Sequence, residues 1–170
     1  EAAPEVVTLT LSAADLALPQ GTARALRGAD LAPDTMQRLE AEAEVTFDRA
    51  WDLRALEERR PQPRRIVVED AALRWGALEL RVAGTLEVGP EGSPKGKLLV
   101  KATNWRDILA AARLTGALPE GIADALEGAL GLASRLAGSP RTLDLPLVFA
   151  DGRTRLGPVP VGPAPRLTLP

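Results

Sequence analysis

The sequence predicts an α+β domain: a twisted antiparallel sheet of about seven or eight strands with a helical hairpin packed on its apolar face. Three observations lead to it. Several segments alternate apolar and polar residues, which is typical of strands with one solvated face. Two helical segments lie next to each other in the C-terminal half, with strands before and after them. Strands and helices do not alternate as they would in a parallel sheet.

One domain over residues 1–170 is expected, because 45% of the residues are hydrophobic and 26% are charged, as in ordinary globular proteins. Residues 1–63 form its less typical part, which is β-rich and leads into a loop of proline and arginine at 59–65. Residues 64–170 carry the clearer pattern of strands, two helices, closing strands and a proline-rich tail.

Five strands are predicted before the helices. In the first, Val7, Leu9 and Leu11 alternate with hydroxyl residues, so this strand is expected to be half-buried. Gly76 separates the third strand from the fourth, at either a tight turn or a bulge. The five segments are residues 7–12, 39–47, 66–75, 78–88 and 97–103.

Two helices follow. Thr103 or Asn104 is expected to cap a helix that runs to about Leu114. Pro119, at a first-turn position, starts a longer helix that ends near Gly138. The predicted apolar set of the longer helix is Ile122, Leu126, Ala129, Leu130, Ala133 and Leu136.

The closing segment contains two predicted strands, residues 143–150 and 153–156, joined by a tight turn at Asp151-Gly152. The tail from Gly157 to Pro170 is rich in proline, which has no backbone N–H to donate. This tail is therefore expected to run extended and to pair only at a sheet edge.

The chain has no cysteine, no histidine and no tyrosine. It therefore lacks the imidazole and thiol of the common catalytic triads and dyads, and the usual zinc ligands. Glu40, Glu42 and Glu44 share the solvated face of the second strand and are interpreted as solubilising residues. A hydrolase that uses acidic residues alone is the third hypothesis. The main expectation is a protein that is not an enzyme and has no catalytic residues, metal site or cofactor.

Nucleotide and nucleic-acid binding are also discounted. Residues 92–98 resemble a phosphate-binding loop, but the glycine spacing is one residue short and Leu98 stands where a magnesium-binding Ser or Thr is needed. The net charge of −2 provides no attractive field for nucleic acid, and 3% aromatic residues form no stacking motif.

The densest basic cluster lies in the proline and arginine loop and consists of Arg59, Arg60, Arg64 and Arg65. One hypothesis makes it a contact for lipid headgroups, lipopolysaccharide phosphate or an acidic partner. The other makes it a solvated loop whose charge is balanced by nearby carboxylates, namely Glu57, Glu58, Glu69 and Asp70.

The helical hairpin offers the most continuous apolar surface. One hypothesis makes this surface the domain core; the other makes it a wall of a cleft that holds an acyl chain between sheet and helices. The tryptophans are interpreted as core or edge anchors, with a role as ligand platforms as the alternative. The candidate residues are Trp75, Trp105, Ile108, Leu109, Ile122, Leu126 and Leu130, with Leu136 extending the surface.

Several segments carry a family resemblance: residues 73–78 (LRWGAL), 84–86 (GTL), 96–105, 145–147 (LPL) with Asp151-Gly152, and 156–165 (LGPVPVGPAP). Together they resemble an uncharacterised proteobacterial envelope family known only as a domain of unknown function, number two-one-two-five. The resemblance covers residues 64–170 well and the first 60 more loosely. The family has no established catalytic residues. The amphipathic strands also resemble, in style, AsmA-like envelope proteins, which are implicated in lipid movement.

Members of that family carry an N-terminal signal or anchor and a longer chain. The resemblance therefore implies a periplasmic domain, or one anchored to the inner membrane and facing the periplasm. The first hypothesis for function is a non-enzymatic envelope domain that binds lipid or another apolar ligand. The alternative is a structural or protein–protein interaction module that meets another envelope protein through a strand edge or the proline-rich tail.

Overall fold

A computed structural model describes residues 4–17, 19–20, 33, 35–52, 59–136 and 138–170. These residues form eight strands and two helices, which confirms the α+β class. The elements are β1 (Glu5–Ala17), β2 (Thr35–Phe47), β3 (Pro63–Trp75), β4 (Leu78–Val88), β5 (Pro94–Thr103), α1 (Trp105–Leu114), α2 (Glu120–Leu136), β6 (Thr142–Ala150), β7 (Arg153–Leu156) and β8 (Val159–Pro163).

The eight strands form one sheet in which the strand order is the chain order and every neighbouring pair is antiparallel. Directly opposed residues lie on the same face, so the register shows which side chains share it. One row of paired residues crosses all eight strands and contains only apolar residues and one glycine. It runs Leu9, Ala43, Val68, Gly84, Leu98, Leu147, Leu156 and Val159. We call this side of the sheet the apolar face.

Two glycines allow close approach of the backbone between β4 and β5. Gly84 and Gly96 have φ angles of 145° and 142°. A Cβ atom on Gly84 would lie 2.4 Å from the carbonyl oxygen of Lys97, and one on Gly96 would lie 2.4 Å from that of Thr85. Register shifts between Glu42 and Ala43 and between Val68 and Ala71 bend the adjoining strands. The sheet is thus curved by positions that only glycine or a bulge can satisfy.

The predicted turns have mixed outcomes. Trp75 pairs with Leu78, so Gly76, with φ 61°, lies in a tight turn and not in a bulge. Asp151 and Gly152 both have positive φ, 51° and 70°, which confirms the tight turn between β6 and β7.

The tail also behaves as predicted. β8 pairs only with β7 and forms one edge of the described sheet. Proline is tolerated there because an edge strand has one side free of ladder hydrogen bonds.

The helices cover one region of the apolar face. α1 contacts β4, and α2 contacts β6 and β8. The main core lies between them and the sheet, with Ala123 completely buried. Its buried residues are Ala102, Trp105, Leu109, Ala123, Leu126, Leu130, Leu143 and Val159.

The first strand was predicted to be half-buried, but the apolar residues of β1 are mostly exposed. Val7 is half-buried, but Leu9 and Leu11 are each 52% exposed, although they alternate as predicted. The reason is that α1 and α2 make their principal contacts with β4, β6 and β8, so among the described elements neither helix covers these leucines.

Leu136 was predicted to belong to the inward face of the second helix, and this prediction is wrong. Leu126, Leu130 and Ser134 are buried and repeat every four residues. A helix turns by about 100° per residue, so Leu136 points almost opposite to Ser134. Its side chain is accordingly 81% exposed.

Asn104 occupies the N-cap position of α1, as predicted, but its side chain does not cap the helix. It has φ 54°, and its Nδ2 donates a 2.6 Å hydrogen bond to the carbonyl oxygen of Ala77. Asn104 therefore ties the start of α1 to the β3–β4 turn. At the other end of the helix pair, the Arg113 guanidinium bridges the carboxylates of Asp124 and Glu127.

The end of the sheet away from the helices has its own small closure. Asp48 N–H bonds the carbonyl oxygen of Gln62 at 3.0 Å and closes the β2–β3 connection. The side-chain amide of Gln62 both donates to and accepts from the backbone of Leu169, at 3.1 and 3.0 Å. Leu167 N–H bonds the Gly92 carbonyl oxygen at 2.8 Å. The tail therefore fastens two loops at this end.

Candidate functional site

An apolar cleft lies between the helix pair and the sheet. Its volume is about 150 Å³, and every residue that lines it is apolar. The helical wall comes from α1, α2 and the turn between them, and the opposite wall comes from β4, β5, β6 and β7. The lining residues are Leu80, Val100, Ala102, Trp105, Ile108, Leu109, Ala112, Leu118, Leu126, Leu130, Leu143, Leu145 and Leu156.

Five of the seven predicted apolar candidates line this cleft: Trp105, Ile108, Leu109, Leu126 and Leu130. The other two lie close by. Ile122 packs against the main core, and Trp75 forms a neighbouring cluster with Leu78 and Ala111.

The two buried tryptophans are each fixed by backbone contacts. Trp75 is 8% exposed and its indole N–H donates to the Pro33 carbonyl oxygen at 2.7 Å. Trp105 is 3% exposed and donates to the Pro140 carbonyl oxygen at 3.2 Å. A buried indole that has satisfied its N–H in this way holds neighbouring segments together. Trp105 also presents part of its ring to the cleft.

The residues predicted from the sequence did not include the wall of the cleft that the sheet forms. This wall includes Leu80, Val100, Leu145 and Leu156. The signal for these residues was in the sequence, because each lies on the apolar side of a predicted strand. Alternation within a strand does not predict the order of the strands in the sheet. That order places β4, β5, β6 and β7 side by side under the helix pair.

The size of the cleft limits what it can hold. Pockets for drug-sized molecules measure roughly 300–1,000 Å³, whereas dry apolar cavities of about 150 Å³ accept molecules the size of benzene. A larger depression of about 420 Å³ opens beside it, but Lys101 and Asp144 contribute to its wall and form an ion pair at 3.4 Å. The smaller cleft is the better candidate for an apolar ligand because its lining contains no charge.

The predicted basic cluster is divided between two structural positions. Arg64 and Arg65 lie on β3, which begins at Pro63, so the predicted loop at 59–65 is shorter than expected. Proline can begin a strand because the first residue does not need to donate to the ladder. Arg59 precedes the strand, and its guanidinium converges with that of Arg64 on the Asp48 carboxylate, at 2.8 and 3.4 Å.

Asp48 is the electrostatic centre of this region, with its side chain 10% exposed. Burial alone would raise the pKa of the carboxyl group. The hydrogen bond from the Gln62 N–H and the guanidinium groups of Arg59 and Arg64 outweigh burial and hold the pKa of Asp48 below its ordinary value. This arrangement fixes the loop and engages two arginines of the cluster.

The remaining cluster residues lie at the surface. Arg65 pairs with Glu87 across β3 and β4 at 3.1 Å, and Arg60 is exposed. The carboxylates that pair with the cluster are thus Asp48 and Glu87, and not the expected Glu69 or Asp70. The other two expected partners, Glu57 and Glu58, lie outside the described residues.

The acidic strand face carries no observed metal-binding arrangement. Glu40 pairs with Arg38 at 2.7 Å on the polar side of the sheet. Within the described ranges, no three acidic side chains come close enough together to hold a metal ion. Within the same ranges, no helix has the length and hydropathy of a membrane span.

Comparison with known proteins identifies the family. No curated protein matches the chain, and no solved structure matches it. A family model described as "Uncharacterized protein conserved in bacteria (DUF2125)" matches residues 1–165. The match includes the first 60 residues, for which the sequence resemblance was looser. The chain therefore belongs to this family of uncharacterised bacterial proteins, which is the family that its C-terminal motifs resemble.

Proposed function

We propose that this chain is a non-enzymatic domain of the bacterial cell envelope that holds an apolar ligand, namely a lipid acyl chain, between its helix pair and its sheet. The observation that carries the proposal is the cleft of about 150 Å³ with an entirely apolar lining. Binding an acyl chain needs apolar walls and shape, and it needs none of the side chains that this sequence lacks.

The apolar face extends the cleft. Val100 lines the cleft and pairs with Val82 on β4, and the next apolar pair along these strands joins Gly84 to Leu98. Val82 and Leu98 are half-buried. An acyl chain longer than the cleft would continue along this row, which supports a ligand that is long and flexible over a compact one.

Localisation and attachment form part of the same proposal. The domain works on the periplasmic side of the inner membrane, and the full-length protein is tethered to that membrane. This part is supported by the resemblance of the C-terminal motifs to an envelope family, and fractionation of cells that produce the full-length protein would test it.

The first test is solvent extraction of the purified protein followed by mass spectrometry of the extract. Ala112 lines the cleft on α1, whereas Ala110 is on the same helix and does not line it. We expect Ala112→Leu to fill the cleft and to weaken binding of a fluorescent fatty-acid probe at least tenfold. Ala110→Leu is the matched control and leaves probe affinity unchanged.

The lipid proposal fails if no lipid co-purifies and the probe does not bind the wild-type protein. It also fails if Ala110→Leu and Ala112→Leu weaken the probe equally, because the binding site would then lie elsewhere. Circular dichroism of both variants verifies that they are folded.

A second candidate function is a protein–protein interaction module, and the edge strand β1 favours it. β1 pairs only with β2 among the described strands. It has 13 residues, with charges only at Glu5 and Asp15 and no proline. Natural sheet edges are usually shortened, charged or interrupted by proline, because a free edge accepts further strands. The β8 edge meets this rule, with five residues that include Pro160 and Pro163.

The partner would therefore be another envelope protein that supplies a strand to β1. Thr10→Lys puts a charge at the centre of this edge, whereas removal of residues 164–170 leaves the edge unchanged. We expect pull-downs from envelope extracts to lose the partner with Thr10→Lys and to keep it after tail removal. Loss with the tail deletion alone would assign the interaction to the tail, and no dependence on either would exclude this function.

A further inference from the structure

The outward face of α2 carries apolar side chains that are left uncovered. Leu132 and Leu136 lie one helical turn apart and are 62% and 81% exposed. The opposite face of the same helix contributes Leu126 and Leu130 to the core, so α2 is apolar on both sides. We call the outward residues the α2 outer strip; they share one helical face and are Gly121, Ala125, Gly128, Leu132 and Leu136.

Along the sequence, the charges that flank the leucine end of this strip are positive, and Asp144, which shares a depression with Ala133 of α2, is already paired with Lys101 at 3.4 Å. Between Glu127 and Asp144 the sequence contains no carboxylate, and its only charged residues are Arg135 and Arg141. Both arginines are exposed. Arg135 lies in the last turn of α2, about 60° around the helix axis from Leu132. Within the described part of the chain, neither arginine has an ion-pair partner.

Arg106 adds a third cation beside the strip. Its guanidinium lies next to Gly131, in the turn of α2 that precedes Leu132. A 2.8 Å hydrogen bond to the Pro140 carbonyl oxygen holds this guanidinium, and it stacks 4.3 Å from the centroid of the Trp105 ring. The stacking orders the guanidinium at the surface, so its position is set before any partner arrives.

We propose that Leu132 and Leu136, together with Arg106, Arg135 and Arg141, form a docking surface for an anionic lipid bilayer. The leucines enter the boundary between headgroups and acyl chains, and the guanidinium groups stay at the level of the lipid phosphates. Each cation near an anionic surface contributes about 1 kcal/mol to binding, which corresponds to about a fivefold increase in the partition coefficient.

A bilayer fits this surface better than a protein partner does. A stable protein–protein interface buries about 800 Å² on each side and requires a complementary shape. Two exposed leucines on one helical turn, with arginines nearby, provide far less apolar area than that. A fluid bilayer adapts to a small apolar patch, and its phosphates meet the guanidinium groups without a fixed register. Charge complementarity therefore selects an anionic membrane.

This inference is independent of the proposed acyl-chain cleft, because it uses the outer side of α2 while the cleft uses the inner side. The two proposals can fail separately. Extraction of bound lipid tests the cleft, whereas attachment to intact vesicles tests the docking surface.

The experiment is co-sedimentation of the purified chain with vesicles of phosphatidylcholine and phosphatidylglycerol, compared with vesicles of phosphatidylcholine alone. We expect attachment to the anionic vesicles only, and weaker attachment as salt is added. Arg135→Gln with Arg141→Gln lowers the partition coefficient about thirtyfold, the factor that corresponds to two cations. Leu132→Ser with Leu136→Ser lowers it at least tenfold.

The matched control is Leu9→Ser with Leu11→Ser, which removes two exposed leucines from another part of the surface. Each is 52% exposed on β1 in the wild type. This pair leaves vesicle attachment unchanged. The proposal is overturned if the wild-type chain does not sediment with anionic vesicles or binds neutral vesicles equally well. It is also overturned if the β1 pair weakens attachment as much as the α2 pair does. Urea unfolding verifies the fold of each variant.

Discussion

The apolar face of the sheet has a covered region under the helices and an open region at β1, and the two differ although their sequence patterns are alike. In the covered region Leu143 is 9% exposed and Val159 is 5% exposed. In the open region Leu9 and Leu11 are each 52% exposed. Period-two alternation therefore selects the face on which a side chain lies, but its burial depends on a second layer that the strand does not encode.

The largest expected effect comes from replacing one leucine in the helix-covered core and one in the open region. Leu126 is 3% exposed in the core, so Leu126→Ala should lower the free energy of unfolding by about 2–5 kcal/mol through lost contacts and a cavity. Leu9→Ala should lower it by less than about 1 kcal/mol, because most of that side chain remains in water. Urea denaturation followed by circular dichroism measures both. Equal losses would show that the open region is covered in solution.

A second test compares two glycines. Gly84→Ala places a Cβ against the Lys97 carbonyl oxygen at a φ of 145°, so we expect a loss of about 1–3 kcal/mol in the free energy of unfolding. Gly128 is exposed in α2 with nothing near its Cβ position, so Gly128→Ala should gain about 1 kcal/mol through higher helix propensity. Thermal unfolding should therefore shift in opposite directions. A neutral Gly84→Ala would contradict the close β4–β5 approach.

A third test addresses the closure at the far end of the sheet. Asp48→Asn removes the charge that Arg59 and Arg64 share, and should lower the free energy of unfolding by about 1–2 kcal/mol. The folded-state pKa of Asp48 lies below its unfolded value of about 3.9, so the stabilisation is present above that pH. It is lost as pH falls through the folded-state pKa.

The measurement is urea unfolding as a function of pH for the wild type and Asp48→Asn. Their difference in stability should be constant near neutral pH and should shrink under acid conditions. Glu87→Gln is the control, because Glu87 pairs with Arg65 at the exposed surface and should contribute little. A difference that grows as pH falls would contradict the assigned direction of the pKa.

The smallest expected effect concerns the tail. Gln62→Ala removes both hydrogen bonds to Leu169 and should lower stability by about 1 kcal/mol while speeding hydrogen exchange of the Leu169 amide. Gln37→Ala is matched to it, because Gln37 accepts a 2.7 Å hydrogen bond from the Gly76 N–H at the other end of the sheet. If Gln37→Ala sped hydrogen exchange of the Leu169 amide equally, the hydrogen bonds from Gln62 would not be what holds the tail in place.

The strands were largely predictable because their signals are local. Residues 78–88 alternate cleanly, and this segment is β4 with the predicted bounds. The helix after Asn104 ends at Leu114, as its sequence indicated. The bulge between Val68 and Ala71 was not predicted, since an extra residue in one strand shows only against its partner strand.

The candidate site was predictable only in part, for the same reason. The helical period identified Leu126 and Leu130, because the constant rotation per residue places residues four apart on the same face of a helix. It placed Leu136 wrongly, because the period fixes the angles between residues but not which direction of the helix faces the sheet, and packing decides that direction. The pairing of Arg59 and Arg64 with Asp48 was also not predicted, because it joins residues 11 and 16 positions apart across an irregular connection.

The sequence by itself determined the order of the elements, the alternation that makes the apolar face, and the absence of imidazole and thiol chemistry. These follow from side-chain identity and from backbone periods of two and 3.6 residues. The tertiary structure alone decided that the helix pair covers one region of that face, leaves Leu9 and Leu11 exposed, and encloses a small apolar cleft. Those outcomes depend on contacts between distant segments, and no local pattern of residues records which distant segment will supply the covering layer.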